Sequence, residues 1–281
     1  MMATSSNFNE IYVAEIEAGK KIADRYADAY ETLFYETTRK MISEMVTHND
    51  AEILNVLDIG CGTGNLTKFF SEKQNCNVVA IDISTEMLRV AKKKLEGVHF
   101  LSSTAGDTPF KKNSFDAVVG YSALHHLPDL EGFFLEIFRI LKPGGLFVFG
   151  EPVESFLSEN KTLYRFFKLP LYPLYLFFKM KNSKNLKVFQ DINFDAFATS
   201  VHRHLTEKEV VDSIAKTNSK KVSVRIKRLG ILSPWFGGVL FKSMRIDCLV
   251  FKPLWYLDLI LAWIFLKCTS EMFITGKIEQ G

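Results

Sequence analysis

The chain has 281 residues, 47% hydrophobic and 24% charged, with mean hydropathy +0.05, which supplies a sizeable core and excludes a disordered tail. The net charge of +3 conceals a division, because residues 1–150 sum to −5 and residues 151–281 to +8, so the basic character is local. The four cysteines show no C-x-x-C pair and no Cys/His cluster at zinc spacing, which excludes a disulfide framework or structural zinc and points to free thiols in a reducing compartment.

The opening MMATSSNFNE has no charged segment leading into an apolar run, so the expectation is a cytoplasmic protein. In chain order, Ile11, Ala14, Ala18, Ile22, Tyr26, Ala29 and Leu33 recur at helical steps and predict an amphipathic helix over 11–33. A second helix is predicted over 36–46, and Asn49-Asp50 turns the chain into an apolar run ending in glycines. Short apolar and helical stretches then alternate. Strands are predicted near 53–58, 78–82, 98–102, 115–121 and 145–150, and helices near 64–73, 85–95 and 129–141. This is the βαβ pattern of a parallel sheet covered on both faces.

Regularity breaks after Glu151, where residues 152–205 are aromatic, basic and interrupted by Pro170 and Pro173. Thr206 and Glu209 form a T-x-x-E capping box ahead of a helix of about ten residues. Residues 222–229 then alternate as a half-exposed strand. Residues 230–270 are again aromatic and irregular, and 272–275 is a short final strand. The apolar stretch 254–266 spans about 20 Å as a helix against a hydrocarbon layer of about 30 Å, too short to cross.

Ligand chemistry concentrates in Val56-Leu57-Asp58-Ile59-Gly60-Cys61-Gly62-Thr63-Gly64, a buried strand opening through three glycines into a helix. Glycine allows tight turning and close backbone approach to a ligand. Asp82 ends the next strand, where a carboxylate accepts both hydroxyls of a ribose. The acid Asp58 would repel a pyrophosphate and attract an ammonium or sulfonium, which favours S-adenosylmethionine over a dinucleotide.

The stretches VLDIGCGTGNLT, AIDIS, FLSSTAGDTPFKKNSFDAVVGYSALHHLPD and EIFRILKPGGLFVFGEP resemble the class I S-adenosylmethionine-dependent methyltransferases, in particular the ubiquinone/menaquinone-type group, over residues 20–152. The resemblance implies an α/β fold: a Rossmann-like seven-stranded, mostly parallel sheet of order 3-2-1-4-5-7-6, helices on both faces and the last strand antiparallel. N-terminal helices and aromatic-rich insertions complete it. One domain, 1–281, would comprise a helical cap (1–50), a cofactor-binding core (51–151), a substrate lid (152–205) and a C-terminal helix with closing hairpin (206–281) carrying a 230–270 insertion.

Carried over by residue, the resemblance places Gly60, Cys61, Gly62 and Gly64 around the methionine and ribose moieties. Asp58 would hold the amino group directly or through water, Asp82 the ribose, and Ile83 the adenine. The family's adenine-binding Asp falls here on Thr104, followed by Ala105, with Asp107 three residues on as the alternative. Tyr26 and Tyr30 would either close over the cofactor or pack in the core, and Tyr121 joins the cofactor set.

Methyl transfer is an in-line displacement that positioning and desolvation accelerate, and an acidic acceptor gains from a base near neutrality. His126, Tyr121 and Glu151 are the candidates, since strands four and five end at the ligand-binding edge of an open α/β sheet. His125 is a lesser one. His202 and His204 lack a third metal ligand, and no metal site is expected.

In residues 156–181, Phe and Tyr alternate with Lys and Arg, as a substrate lid or as a surface resting on a membrane, to which 254–266 would add. Nucleic-acid binding is disfavoured, since Gly120-Tyr121-Ser122-Ala123 is not the (D/N)PP(Y/F) element of base-amine methyltransferases. The expected acceptor is small and hydrophobic: a quinone precursor, lipid or aromatic metabolite. RNA methylation and cofactor binding without transfer are the alternatives.

Overall fold

The computed structural model describes residues 5–29, 33–47, 53–152, 205–217, 222–229 and 271–279. Helices α1 (Ser5–Ala29) and α2 (Leu33–Val46) open the chain. There follow β1 (Leu54–Ile59), α3 (Lys68–Ser71), β2 (Cys76–Asp82), α4 (Thr85–Lys94), β3 (His99–Ser102) and β4 (Phe115–Tyr121). After a 3₁₀ turn at Leu124–His126 come α5 (Leu130–Ile140), β5 (Leu141–Pro152), α6 (Glu207–Lys216), β6 (Val222–Leu229) and β7 (Glu271–Ile278).

The seven strands form one sheet of order β3-β2-β1-β4-β5-β7-β6, as the resemblance implies. Strands β1 to β5 pair in parallel, whereas β7 runs antiparallel to both β5 and β6. Alternation along the central strands feeds two apolar layers. Leu57, Val118, Phe147, Phe149 and Ile274 point to one face, where Phe133, Phe134, Ile137 and Ile140 of α5 and Val210 of α6 cover them. Val56, Val78, Val119, Val148 and Phe273 point to the other, under Ile42 and Val46 of α2 and Phe70 of α3.

Several boundaries move. The predicted 64–73 helix shrinks to Lys68–Ser71, because the left-handed Gly64 (φ +82°) interrupts it and the chain reaches residue 67 through turns. Strand β7 is longer than 272–275, since it pairs along its whole length with β6 and from Leu146 to Pro152 with β5. The capping box is present, with Thr206 Oγ1 accepting from Glu209 N and Thr206 N donating to Glu209 Oε2 at 2.8 Å. Tyr30, His202, His204, Cys248, Cys268, the 156–181 and 254–266 segments and the 230–270 insertion lie outside the described residues. Among the described residues no helix is long and apolar enough to cross a membrane.

Candidate active site

The carboxyl ends of β1, β2 and β4 open on one cleft, roofed by α1. All three loop glycines are left-handed: Gly60 at φ +66°, Gly62 at +54° and Gly64 at +82°. A Cβ on Gly60 would come within 2.7 Å of the Ala123 Cβ, and one on Gly64 within 2.7 Å of Leu95 Cδ1. A Cβ on Gly62 would meet nothing nearer than Tyr26 Cε1 at 4.0 Å, so that glycine keeps open space in the cleft.

Asp82 ends β2 with its carboxylate fixed by backbone, Oδ2 accepting from Gly62 N and Oδ1 from Ser84 N, each at 2.8 Å. Burial raises its pKa and these two bonds restrain the rise. Asp58 is fully buried behind the loop, and its Oδ2 accepts from Thr67 Oγ1 at 2.6 Å. Among the described residues its Oδ1 has no partner, as is also true of Thr63 Oγ1 and Asn65 Nδ2 in the same loop. Burial, with the Asp82 charge adding to it, pushes the Asp58 pKa up to about 7.

Beyond β4 the wall is set by side chains. Glu151 is fully buried; its Oε1 accepts from Ala123 N at 2.8 Å and Leu124 N at 2.7 Å, and its Oε2 sits 2.8 Å from His125 Nδ1. These bonds shape the loop that presents His126, whose Nδ1 lies 3.1 Å from Glu15 Oε1 on α1. Helix α1 is held over the cleft by α4, through Ile22 and Ala23 against Met87 and Val90 and through Asp24 on Arg89 at 2.8 Å.

Residues 57–149 match the family model described as a methyltransferase domain. Over 145 residues the chain is 37% identical to a demethylmenaquinone methyltransferase of Lactococcus lactis, covering 49% of this chain and 56% of that protein. Over 102 residues it is 42% identical to the sterol 24-C-methyltransferase erg6 of Aspergillus fumigatus, covering 34% of this chain and 27% of that protein. Residues 57–149 therefore carry a methyltransferase domain, similar to those of the class I S-adenosylmethionine-dependent enzymes. The match spans about half or less of the length of these curated relatives. The fold is also that of the Haemonchus contortus phosphoethanolamine N-methyltransferase 2 in complex with S-adenosyl-L-methionine, with TM-score 0.54 at 18% identity over 87% of this chain and 53% of that one.

The methyltransferase domain fits this cofactor on its own geometry. A buried acid with a bare oxygen, Asp58, and a fixed strand-end acid, Asp82, flank an open glycine cradle, as a cationic ligand bearing a ribose requires. Gly60, Gly62, Asp82, Ile83, Thr104, Ala105, Tyr26 and His126 all line the cleft. Thr104 Oγ1 donates to the carbonyl of Asp107 at 3.2 Å, while the exposed Asp107 does not line it.

Other expected residues stand behind the cleft. Asp58 has no exposed surface and does not itself line the cleft. Gly64 packs against Ala91 of α4 and against Leu95, the residue that follows that helix. Cys61 packs with Ala80 and Leu88, where burial pushes its thiol well above the ordinary range. Glu151 and Tyr121 stand away from the cleft. Both Glu151 oxygens are engaged by the loop at zero exposure, and Tyr121 is buried in the α2 layer with the Arg39 guanidinium 5.2 Å from its ring centre. Neither lines the cleft.

Sequence reading missed Tyr12, Glu15 and Gly19, which share one face of α1 with Tyr26. The spacing 12-15-19-26 was the available signal, a polar and aromatic stripe beside the apolar one.

Proposed function

We propose that this chain transfers the methyl group of S-adenosylmethionine to a small hydrophobic acceptor such as a quinone precursor, lipid or aromatic metabolite. One observation carries the reading: His126 opens on the same cleft as the glycine loop and Asp82, so a proton acceptor and a cofactor cradle face one another. The names of the quinone and sterol relatives support the acceptor class.

The cofactor, when bound, supplies an electrophilic methyl group and a neutral thioether as leaving group. Asp82 accepts the ribose hydroxyls, with its orientation fixed in advance by Gly62 N and Ser84 N. Gly60 and Gly62 let the backbone approach the methionine moiety. Ile83 packs on the adenine, and Thr104 and the Ala105 N–H meet its edge. Asp58 favours a positive charge near the loop, and Tyr26 closes the roof. His126 takes a proton from an acceptor hydroxyl or acidic carbon as the new bond to carbon forms. The 152–205 and 230–270 segments belong to this reading as acceptor cover, in a cytoplasmic enzyme that contacts a membrane surface through its aromatic and basic stretches.

The test is methyl-labelled S-adenosylmethionine incubated with the protein and a cell extract, then partitioned into organic, aqueous, protein and nucleic-acid fractions. Label should enter the organic fraction. Asp82→Ala should weaken S-adenosylhomocysteine about a hundredfold by calorimetry, since two hydrogen bonds to a charged group are worth about 3 kcal/mol, and the label should vanish with it. Label in nucleic acid would establish RNA methylation instead. Tight cofactor binding with no label anywhere would mark a binding protein without transfer.

A further inference from the structure

We infer that Glu15 is the positioning residue of His126: carried in by α1, its carboxylate holds the imidazole as the Nδ1–H tautomer and leaves Nε2 as the proton acceptor. The inference rests on the proposed role of His126 and names the group that prepares it.

Two carboxylate–imidazole pairs stand side by side in this wall, their rings 4.1 Å apart. The inner pair, Glu151 with His125, has side chains 0% and 8% exposed and holds the loop together. The outer pair, Glu15 with His126, is 14% and 22% exposed, and both residues line the cleft. The outer pair therefore meets a ligand while the inner one supports it. An ionised carboxylate facing Nδ1 can only accept a hydrogen bond, so it holds the proton on that nitrogen and leaves the lone pair on Nε2.

The pairing also depends on an element remote in sequence. Glu15 and His126 are 111 residues apart, and α1 is seated by α4, the helix that follows Asp82 and Ser84. Gly19 has no room for a Cβ against Ser84, so α1 sits directly on the turn carrying the ribose-binding acid. One helix thus spans both halves of the site.

The experiment reads the ring itself. The full chain is labelled with ¹⁵N-histidine and its imidazoles followed by long-range ¹H–¹⁵N correlation at pH 8, both free and saturated with S-adenosylhomocysteine. The six histidines are separated by the signal lost in His126→Gln. We expect His126 as Nδ1–H in the wild type. In Glu15→Leu the majority form should change to Nε2–H, and in Glu15→Gln, whose amide oxygen still accepts, Nδ1–H should persist. An Nε2–H ring in the wild type, or an unchanged ring in Glu15→Leu, would overturn the inference. Thermal melting of both variants reports whether α1 still docks. Failure of S-adenosylhomocysteine to bind the wild type would sink the cofactor reading alone, since the tautomer is read in the free protein too.

Discussion

The two halves of the cleft are built on different principles. The cofactor half is backbone and local: three left-handed glycines, then Asp82 gripped by Gly62 N and Ser84 N, all within residues 58–84. The half proposed to take the acceptor is side chain and non-local, with Glu151 reaching back to residues 123–125 and Glu15 reaching across from α1. The first is a shape that a short motif encodes. The second exists only once distant elements meet.

The strongest way to break that comparison is Glu151→Ala. It strands two buried backbone N–H groups, Ala123 and Leu124, and removes the carboxylate facing His125 Nδ1. At roughly 1–3 kcal/mol for each unsatisfied group the loss is about 4 kcal/mol, or a Tm fall of about 10 °C. Differential scanning calorimetry reads it. A Tm within about 2 °C of wild type alongside lost turnover would mean that Glu151 meets the acceptor after all, and the division between support and cleft would fail.

A second prediction sharpens the cofactor half. Asp58 has a folded pKa of about 7 against an ordinary value of 3.8, so between these limits the folded protein holds a proton that the unfolded chain has released. This group's contribution to stability is therefore greatest in acid and declines as pH rises from about 4 to about 7. An ammonium-bearing ligand favours the charged form, so binding expels the proton. S-adenosylhomocysteine affinity should rise by up to about tenfold per pH unit approaching 7 and level off above it. Calorimetry in buffers of different ionisation enthalpy counts the proton, and Asp58→Asn should flatten the slope. A slope that survives in Asp58→Asn would move the effect to another group.

Legibility in the sequence divides along the same line. The glycine loop and Asp82 are readable because each depends on neighbours within a few tens of residues, whereas the strand order, which pairs Pro152 with Glu271, is implied only by the family resemblance. Helix α3 is shorter than its apolar pattern implies, because that pattern does not reveal that Gly64 is left-handed. Glu151 does stand at a strand end as expected, with its carboxylate turned onto the loop of residues 123–124. A strand-end acid looks the same in sequence whether it faces a ligand or the loop beneath it. Glu15 is invisible, since its meaning lies in His126, 111 residues away.

The smallest effect tests whether the site is insulated from its scaffold. Thr206 caps α6 reciprocally with Glu209, and α6 packs beside α5 on the core through Val210, with Leu205 just ahead of the cap. Replacing an N-cap Thr by Ala costs about 1 kcal/mol, so Thr206→Ala should lower Tm by about 2–4 °C. No residue of α6 lines the cleft, and the cofactor half is braced by its own backbone bonds. S-adenosylhomocysteine affinity should therefore be unchanged by calorimetry, even where the loss of stability is plain. Weakened binding in Thr206→Ala would show that the glycine loop depends on the far side of the sheet, and the cofactor half would no longer count as local.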